Sequence, residues 1–182
     1  MLGIRRRIED VSKIQFEPNY SKTVEALLYI LSKRPTVNLY NCLKITFEAD
    51  KVHLNKYGRP VTGDTYIRMP YGTVPSFLLD VINAQPIVYS ALNIDDLPFT
   101  RKGHELSASR QPNMDYLSES DIEAIDAGIA KYINLSFDQV RLLNHKERAW
   151  LESPPGEIDF ALMIDNPEVL EELQNNPLKL VV

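Results

Sequence analysis

With Cys42 as its one cysteine, the chain has no partner for an intrachain disulfide and too few thiolates for a zinc site built on several of them. Unbroken apolar runs such as FALMI at 160–164 fall far short of the roughly 20 residues that a membrane-spanning helix needs. The first residues show no apolar core of a secretory leader. A basic excess is missing as well: 20 Lys and Arg stand against 25 Asp and Glu, a net charge of -5, which disfavours general binding to phosphate backbones and suits a basic partner. The short run Arg5, Arg6, Arg7 reads as a solvated tail. GxSxG, P-loop, GxGxxG, HExxH and EF-hand patterns are all lacking, and His53, His104 and His145 fall in three different segments. The expectation is a cytoplasmic protein without membrane segment, metal or cofactor, and without a prescribed catalytic constellation.

What is present is a chain of 182 residues, 44% hydrophobic, enough for one well-buried core. Residues 1–19 lack a sustained period and end near Pro18, so they read as an arm laid on the domain or left mobile. Val24, Leu27, Leu28 and Leu31 then recur at helical spacing after Ser21, a candidate N-cap, until Pro35. A second helix runs from its cap Asn38 to Tyr57. TYIRM at 65–69, IVYSALNI at 87–94 and GHELSAS at 103–109 read as strands of one small antiparallel sheet. Helices follow: one opens on Ser118 and Asp121, one on Ser136 and Gln139 that continues through HKERAWLE to Pro154, and one on Asn166 and Pro167. Trp150 reads as a core anchor. The fold class expected is α+β, mainly helical, a single domain with a small antiparallel sheet inserted between helices.

The second helix holds an anomaly. On a helical projection Leu39, Leu43, Thr46, Phe47, Leu54 and Tyr57 form one stripe, and Asp50 falls near its centre, with Cys42 and His53 at the margins. Cys42 there reads as a core thiol. A carboxylate so placed must be satisfied. It is either a catalytic acid assisted by His53 or an acceptor for backbone N–H groups or an arginine of the following passage. That passage, NKYGRPVTGDTYIRMPYGTVP at 55–75, holds three glycines and three prolines. Gly58 suits a left-handed helix stop, Pro60 blocks continuation, and Thr62, Gly63 and Asp64 make a turn. Gly72 makes another, and Pro75 suits the first turn of a helix. Arg59 is left to pair with Asp50 or Asp64, or to project.

CLKITFEADKVHLNKYGRPVTGDTYIRMPYGTVPS, with LSESDIEAIDAGIAKYINLSFDQVRLLNHKERAW further on, resembles the Panacea domain of the SocA-like antitoxin family over roughly residues 22–152. The residues that carry the resemblance are Lys44, Ala49, Asp50 and His53, then Tyr57, Gly58, Arg59 and Pro60, then Thr62, Gly63 and Asp64, then Tyr71, Gly72 and Pro75, with Trp150 in the second half. Where the family pattern has proline after Tyr-Gly, this chain has Thr73, placed to cap the next helix through the N–H of Ser76. The resemblance implies a non-enzymatic antitoxin that neutralises a cognate protein toxin by direct contact, encoded beside it in bacteria or their phages. For some relatives it implies an adaptor that hands the toxin to a AAA+ protease. A homo-oligomer is compatible with it. The division it suggests is an arm at 1–19, the antitoxin domain at 20–152 and a helical tail at 153–182 packed on that domain. The turn-rich passage would then present Arg59, Asp64, Tyr66, Arg68, Tyr71 and Thr73 to the toxin, while Asp50, His53, Tyr57, Gly58, Pro60, Gly63, Gly72, Pro75 and Trp150 hold the motif together. The rival readings are an interaction or regulatory protein of a phage or mobile element without a toxin, and a hydrolase using Asp50, His53 and His145.

Overall fold

Asn38 and Gly58 bracket the element on which everything else is hung. The Asn38 side chain accepts from the N–H of Tyr40, and Gly58 takes a left-handed φ of +72° with its N–H on the carbonyl of Leu54, so the intervening helix spans Leu39–Tyr57. A Cβ on Gly58 would meet nothing within 4 Å, so only its backbone angle demands glycine. Gly58→Val should therefore cost more than about 1 kcal/mol and Gly58→Asn only a few tenths. Equal melting temperatures for the two variants would refute this account of the helix stop.

The computed structural model describes residues 13–176. Its elements are α1 (Tyr20–Leu31), β1 (Val37–Asn38), α2 (Leu39–Tyr57), β2 (Tyr66–Met69), β3 (Gly72–Pro75), α3 (Ser76–Ile82), α4 (Pro86–Leu92), β4 (Phe99–Lys102), β5 (Glu105–Ala108), α5 (Glu119–Tyr132), α6 (Phe137–Asn144), α7 (Arg148–Leu151), β6 (Gly156–Glu157) and α8 (Pro167–Asn175). This is the mainly helical α+β class expected. The run Arg5–Arg7 and the residues from 177 onward lie outside the described residues.

The β structure departs from the expectation. Two three-stranded antiparallel sheets are present among the described residues, in the orders β1-β5-β4 and β3-β2-β6, and the TYIRM strand does not join the later ones. Instead Ile67 sits opposite Val74 in a tight hairpin, whose other side pairs with Gly156 and Glu157. IVYSALNI is helical. Pro86 at its first turn and Asn93 in the left-handed conformation at its end supply a start and a stop, and Val88 plugs the core, which together outweigh the β-branched content.

Smaller corrections follow the same logic. Asn19 rather than Ser21 caps α1, accepting from Lys22. Pro75 is the last residue of β3 and precedes the helix instead of opening its first turn. HKERAWLE is interrupted: α6 ends at Asn144, and α7 resumes at Arg148. The segment after 152 contributes a strand and core residues as well as a terminal helix.

α2 runs between two apolar clusters and feeds both. One joins Leu27, Leu28, Ile45, Leu78, Leu106, Ile125 and Tyr132. The other joins Phe47, Leu54 and Tyr66 to Ile14 and Phe16 from the arm and to Ile158, Phe160, Met163 and Leu173 from the C-terminal segment. The described part of the arm is thus laid on the domain, with the Ile14 carbonyl accepting from the N–H of Phe160. Gly128 lets α5 lie against α2: a Cβ there would come within 2.6 Å of the Ile45 carbonyl oxygen.

Candidate functional site

The sequence from Gly58 to Pro75 leads from the end of α2 into the β2–β3 hairpin, and three buried polar clusters hold it. The first is centred on Asp50. One carboxylate oxygen accepts from the N–H of Thr62 at 2.8 Å, the other from the hydroxyls of Thr62 at 2.6 Å and Tyr66 at 3.0 Å. Burial pushes the Asp50 carboxyl up to about 6 against the pull of these donors. Its oxygens are spent on folding the turn. Thr62 follows Val61, and both are buried, so the chain after Pro60 is drawn into the body of the domain.

The second cluster is Asp64, which lies after Gly63 with its φ of +66°. Its two oxygens accept from the N–H groups of Phe77 and Leu78, each at 2.9 Å, and so cap α3 from across the hairpin. Burial raises its carboxyl to about 7, with the Asp50 charge adding to the effect. This is a correction on two counts. Asp64, expected to face a toxin, is fully buried, and it performs the capping expected of Thr73. The N–H of Ser76 goes instead to the carbonyl of Thr65. Thr73 is buried too, bracketed by Asn144, whose amide oxygen accepts from the Thr73 N–H at 2.7 Å.

The third cluster is centred on Asp121, the capping-box residue at the start of α5. Lys22 reaches it at 2.9 Å and Arg59 at 3.2 Å. Burial opposes its charge, but the Lys22 ammonium and the Ser118 groups hold the carboxyl below the usual range. Arg59 therefore pairs internally, with Asp121 instead of Asp50 or Asp64. No local signal links positions 62 residues apart. His53 lies in the same cluster: Nδ1 donates to the Arg59 carbonyl at 2.7 Å, which leaves Nε2 to accept from the Ser120 hydroxyl at 3.0 Å. Burial lowers its pKa and keeps it neutral. Tyr57, exposed at the end of α2, donates to Glu123.

Among the described residues no hydrogen bond or ion pair joins Asp50, His53 and His145. The His145 ring stacks on Trp150 at a centroid distance of 3.8 Å, beside the Met69 end of the hairpin. Among the described residues no group of three His, Cys, Asp or Glu is arranged to hold a metal. Cys42 is fully buried, and burial pushes its thiol far up, away from reactivity.

The hairpin tip is built differently. Tyr66 lies wholly inside the second apolar cluster, so it presents no surface, contrary to expectation. Arg68 is half-buried: its Nε donates to the Trp150 carbonyl at 2.7 Å, and its guanidinium lies 4.6 Å from the indole ring. Trp150 is partly exposed rather than a core anchor, and its Nε1 donates to the Met69 carbonyl at 2.9 Å, clamping the end of β2. Beyond the clamp the apolar side chains face solvent. Tyr71 is 55% exposed, Met69 36% and Phe137 37%, with the Tyr71 ring edge-on to Phe137 and Phe137 edge-on to Tyr40. Among the six candidate contact residues, Tyr71 is the one whose side chain stands mainly in solvent, with Arg59 and Arg68 half-exposed.

Lys44, on α2 below this tip, is 2% exposed and donates to the Thr73 carbonyl. Burial alone lowers its ammonium to about 7. Between that value and the usual 10.5 the folded chain holds fewer protons than the unfolded one, so this contribution to stability rises with pH above 7. Between about pH 7.5 and 9.5 the stability of wild type relative to Lys44→Met should climb by up to about 1.4 kcal/mol per pH unit. Urea titrations that give parallel pH profiles for the two proteins would show that Lys44 is not desolvated in this way.

The signature residues from Lys44 to Pro75 thus converge on one construction, a hairpin held by buried acids on one side and an indole clamp on the other. Comparison with known proteins agrees with that concentration of motif. The family model described as Antitoxin SocA-like, Panacea domain matches residues 43–151. No curated protein and no solved structure matches the chain. The matched span starts at the Leu43–Lys44 pair of α2, takes in the hairpin with Asp50, Asp64 and Asp121, and ends one residue past Trp150; the chain belongs to the SocA-like antitoxin family with a Panacea domain.

Proposed function

We propose that the chain is the antitoxin of a toxin–antitoxin pair, acting in the cytoplasm without catalysis, and that it neutralises a cognate protein toxin by direct contact through the face around the β2–β3 hairpin tip. Membership of the antitoxin family over residues 43–151 carries this reading. The tip favours this location: Met69, Tyr71 and Phe137 form an exposed apolar patch on a hydrogen-bonded base, a combination common at interaction surfaces. Tyrosine and arginine are enriched among residues that dominate binding energy, so Tyr71 with Arg68 beside it is the expected anchor. Delivery of the toxin to a AAA+ protease would follow the same contact and requires the toxin to be bound first.

The polar atoms of Asp50, Asp64, His53 and Asp121 support the reading by their engagement. They hold backbone and capping groups, so their loss would be felt as misfolding of the hairpin and not as loss of a chemical step. Co-expression tests the proposal. An open reading frame neighbouring the gene should be toxic alone and tolerated with this chain, whereas a neighbourhood without a toxic frame would favour an interaction protein of another kind.

A further inference from the structure

Beside the hairpin tip lies a groove of about 370 Å³ between the start of α2, the β2–β3 hairpin and the β4–β5 hairpin. Leu39, Leu43, Val74 and Leu79 give it an apolar floor, and Tyr71 stands at its edge. Its charged lining is of one sign, Lys44 and Arg101, with His104 and the phenols of Tyr40 and Tyr71 beside them and no carboxylate among the lining residues. Arg101 gives its Nε to the Gly103 carbonyl and its Nη1 to the Ile82 carbonyl and the Asn83 side chain, and has no acidic partner among the described residues.

Lys44 is the exception in a protein that otherwise pairs its inset lysines. Lys22 reaches Asp121 at 2.9 Å, Lys51 reaches Glu147 at 2.7 Å and Asp165 at 2.9 Å, and Lys131 reaches Glu48 at 2.7 Å. Lys44 is as buried as any of them and forms no ion pair among the described residues; its ammonium donates to the Thr73 carbonyl. A buried cation with no counter-charge is costly, and a carboxylate brought to it gains more than one at the open surface. The apolar floor supplies the second half of the recognition.

We propose that this groove receives an apolar side chain together with an adjacent aspartate or glutamate of the partner protein, the carboxylate being set against Lys44 and Arg101. The partner segment is thus locally acidic although the chain as a whole carries a charge of -5. This rests on the antitoxin reading for the identity of the protein that bears the segment, and on the groove alone for the segment's chemistry.

The test needs no toxin. The full chain is titrated with N-acetyl-Gly-Phe-Asp-Gly-amide, its Asn counterpart, and N-acetyl-Gly-Gly-Phe with a free terminal carboxylate, followed by the amide resonances of Val74, Asn83 and His104. The Asp peptide should bind about tenfold or more tighter than the Asn peptide, and Lys44→Met should abolish that preference. Equal binding of Asp and Asn peptides, no binding, a preference that survives in Lys44→Met, or preference for the free terminus over the internal acid would each overturn the proposal. Because the wild-type comparison stands without the variant, a poorly folded Lys44→Met leaves the first criterion intact. A negative titration leaves toxin rescue untouched, and a failed rescue leaves the peptide preference untouched, so the two readings fail separately.

Discussion

Asp50→Leu should lower the stability of the domain by on the order of 3 kcal/mol or more, a large share of what a domain of this size has. The substitution keeps the count and branching of side-chain heavy atoms and is favourable in hydrophobicity at a fully buried site. It nevertheless removes the acceptor for the Thr62 N–H, the Thr62 hydroxyl and the Tyr66 hydroxyl, all of them buried. Unsatisfied donors in such a place cost about 1 to 3 kcal/mol each. Asp50→Asn keeps one carbonyl oxygen and should be the milder of the two. Chemical unfolding of the three proteins gives the comparison. A Leu variant as stable as wild type that had lost only its protective effect would move Asp50 from the scaffold to a working site.

That Asp50 is held by the turn that follows it was partly legible in the sequence. An acid at the centre of an apolar stripe must be satisfied by something, and the turn-rich passage immediately downstream was the nearest source of donors. The limits of α2 were legible for a similar reason: Asn38 and Gly58 act through hydrogen bonds and backbone angles within a turn of themselves. What was not legible depends on residues brought together from afar. Asp64 caps α3 because the β2–β3 hairpin folds back on itself, and nothing local distinguishes it from a turn aspartate facing solvent. Arg59 finds Asp121 across 62 positions. Ile87 to Ile94 has the composition of a strand, but the flanking Pro86 and Asn93 fix a helix once Val88 has a core to enter. Trp150 misleads in the opposite sense. Its size suggests the interior, whereas it serves as a half-exposed clamp between Arg68 and the end of β2.

The clamp changes which variant probes the interface cleanly. Arg68→Glu would remove both the hydrogen bond to the Trp150 carbonyl and the guanidinium packed on the indole, so any loss of protection would be mixed with loss of stability. Tyr71 carries no such load: it is mainly exposed and touches Phe137 edge-on at a centroid distance of 5.5 Å. Tyr71→Asp should therefore keep stability within about 1 kcal/mol of wild type. Under the proposed function it should weaken toxin binding by about 30-fold or more, the scale of a dominant interface residue, and abolish growth rescue. Ile87, exposed on α4 and absent from the groove lining, provides the matched control, and Ile87→Asp should leave rescue intact. Equal rescue by Tyr71→Asp and wild type would place the contact elsewhere on the molecule.

The most direct measurement of the central claim is co-expression of the unmodified chain with each toxic open reading frame found beside its gene, read as colony growth and followed by co-purification of the two proteins. Growth restored for one such frame, with the pair eluting as a complex that Tyr71→Asp fails to form, is the result expected. A toxic neighbour that this chain neither rescues nor binds would contradict the account.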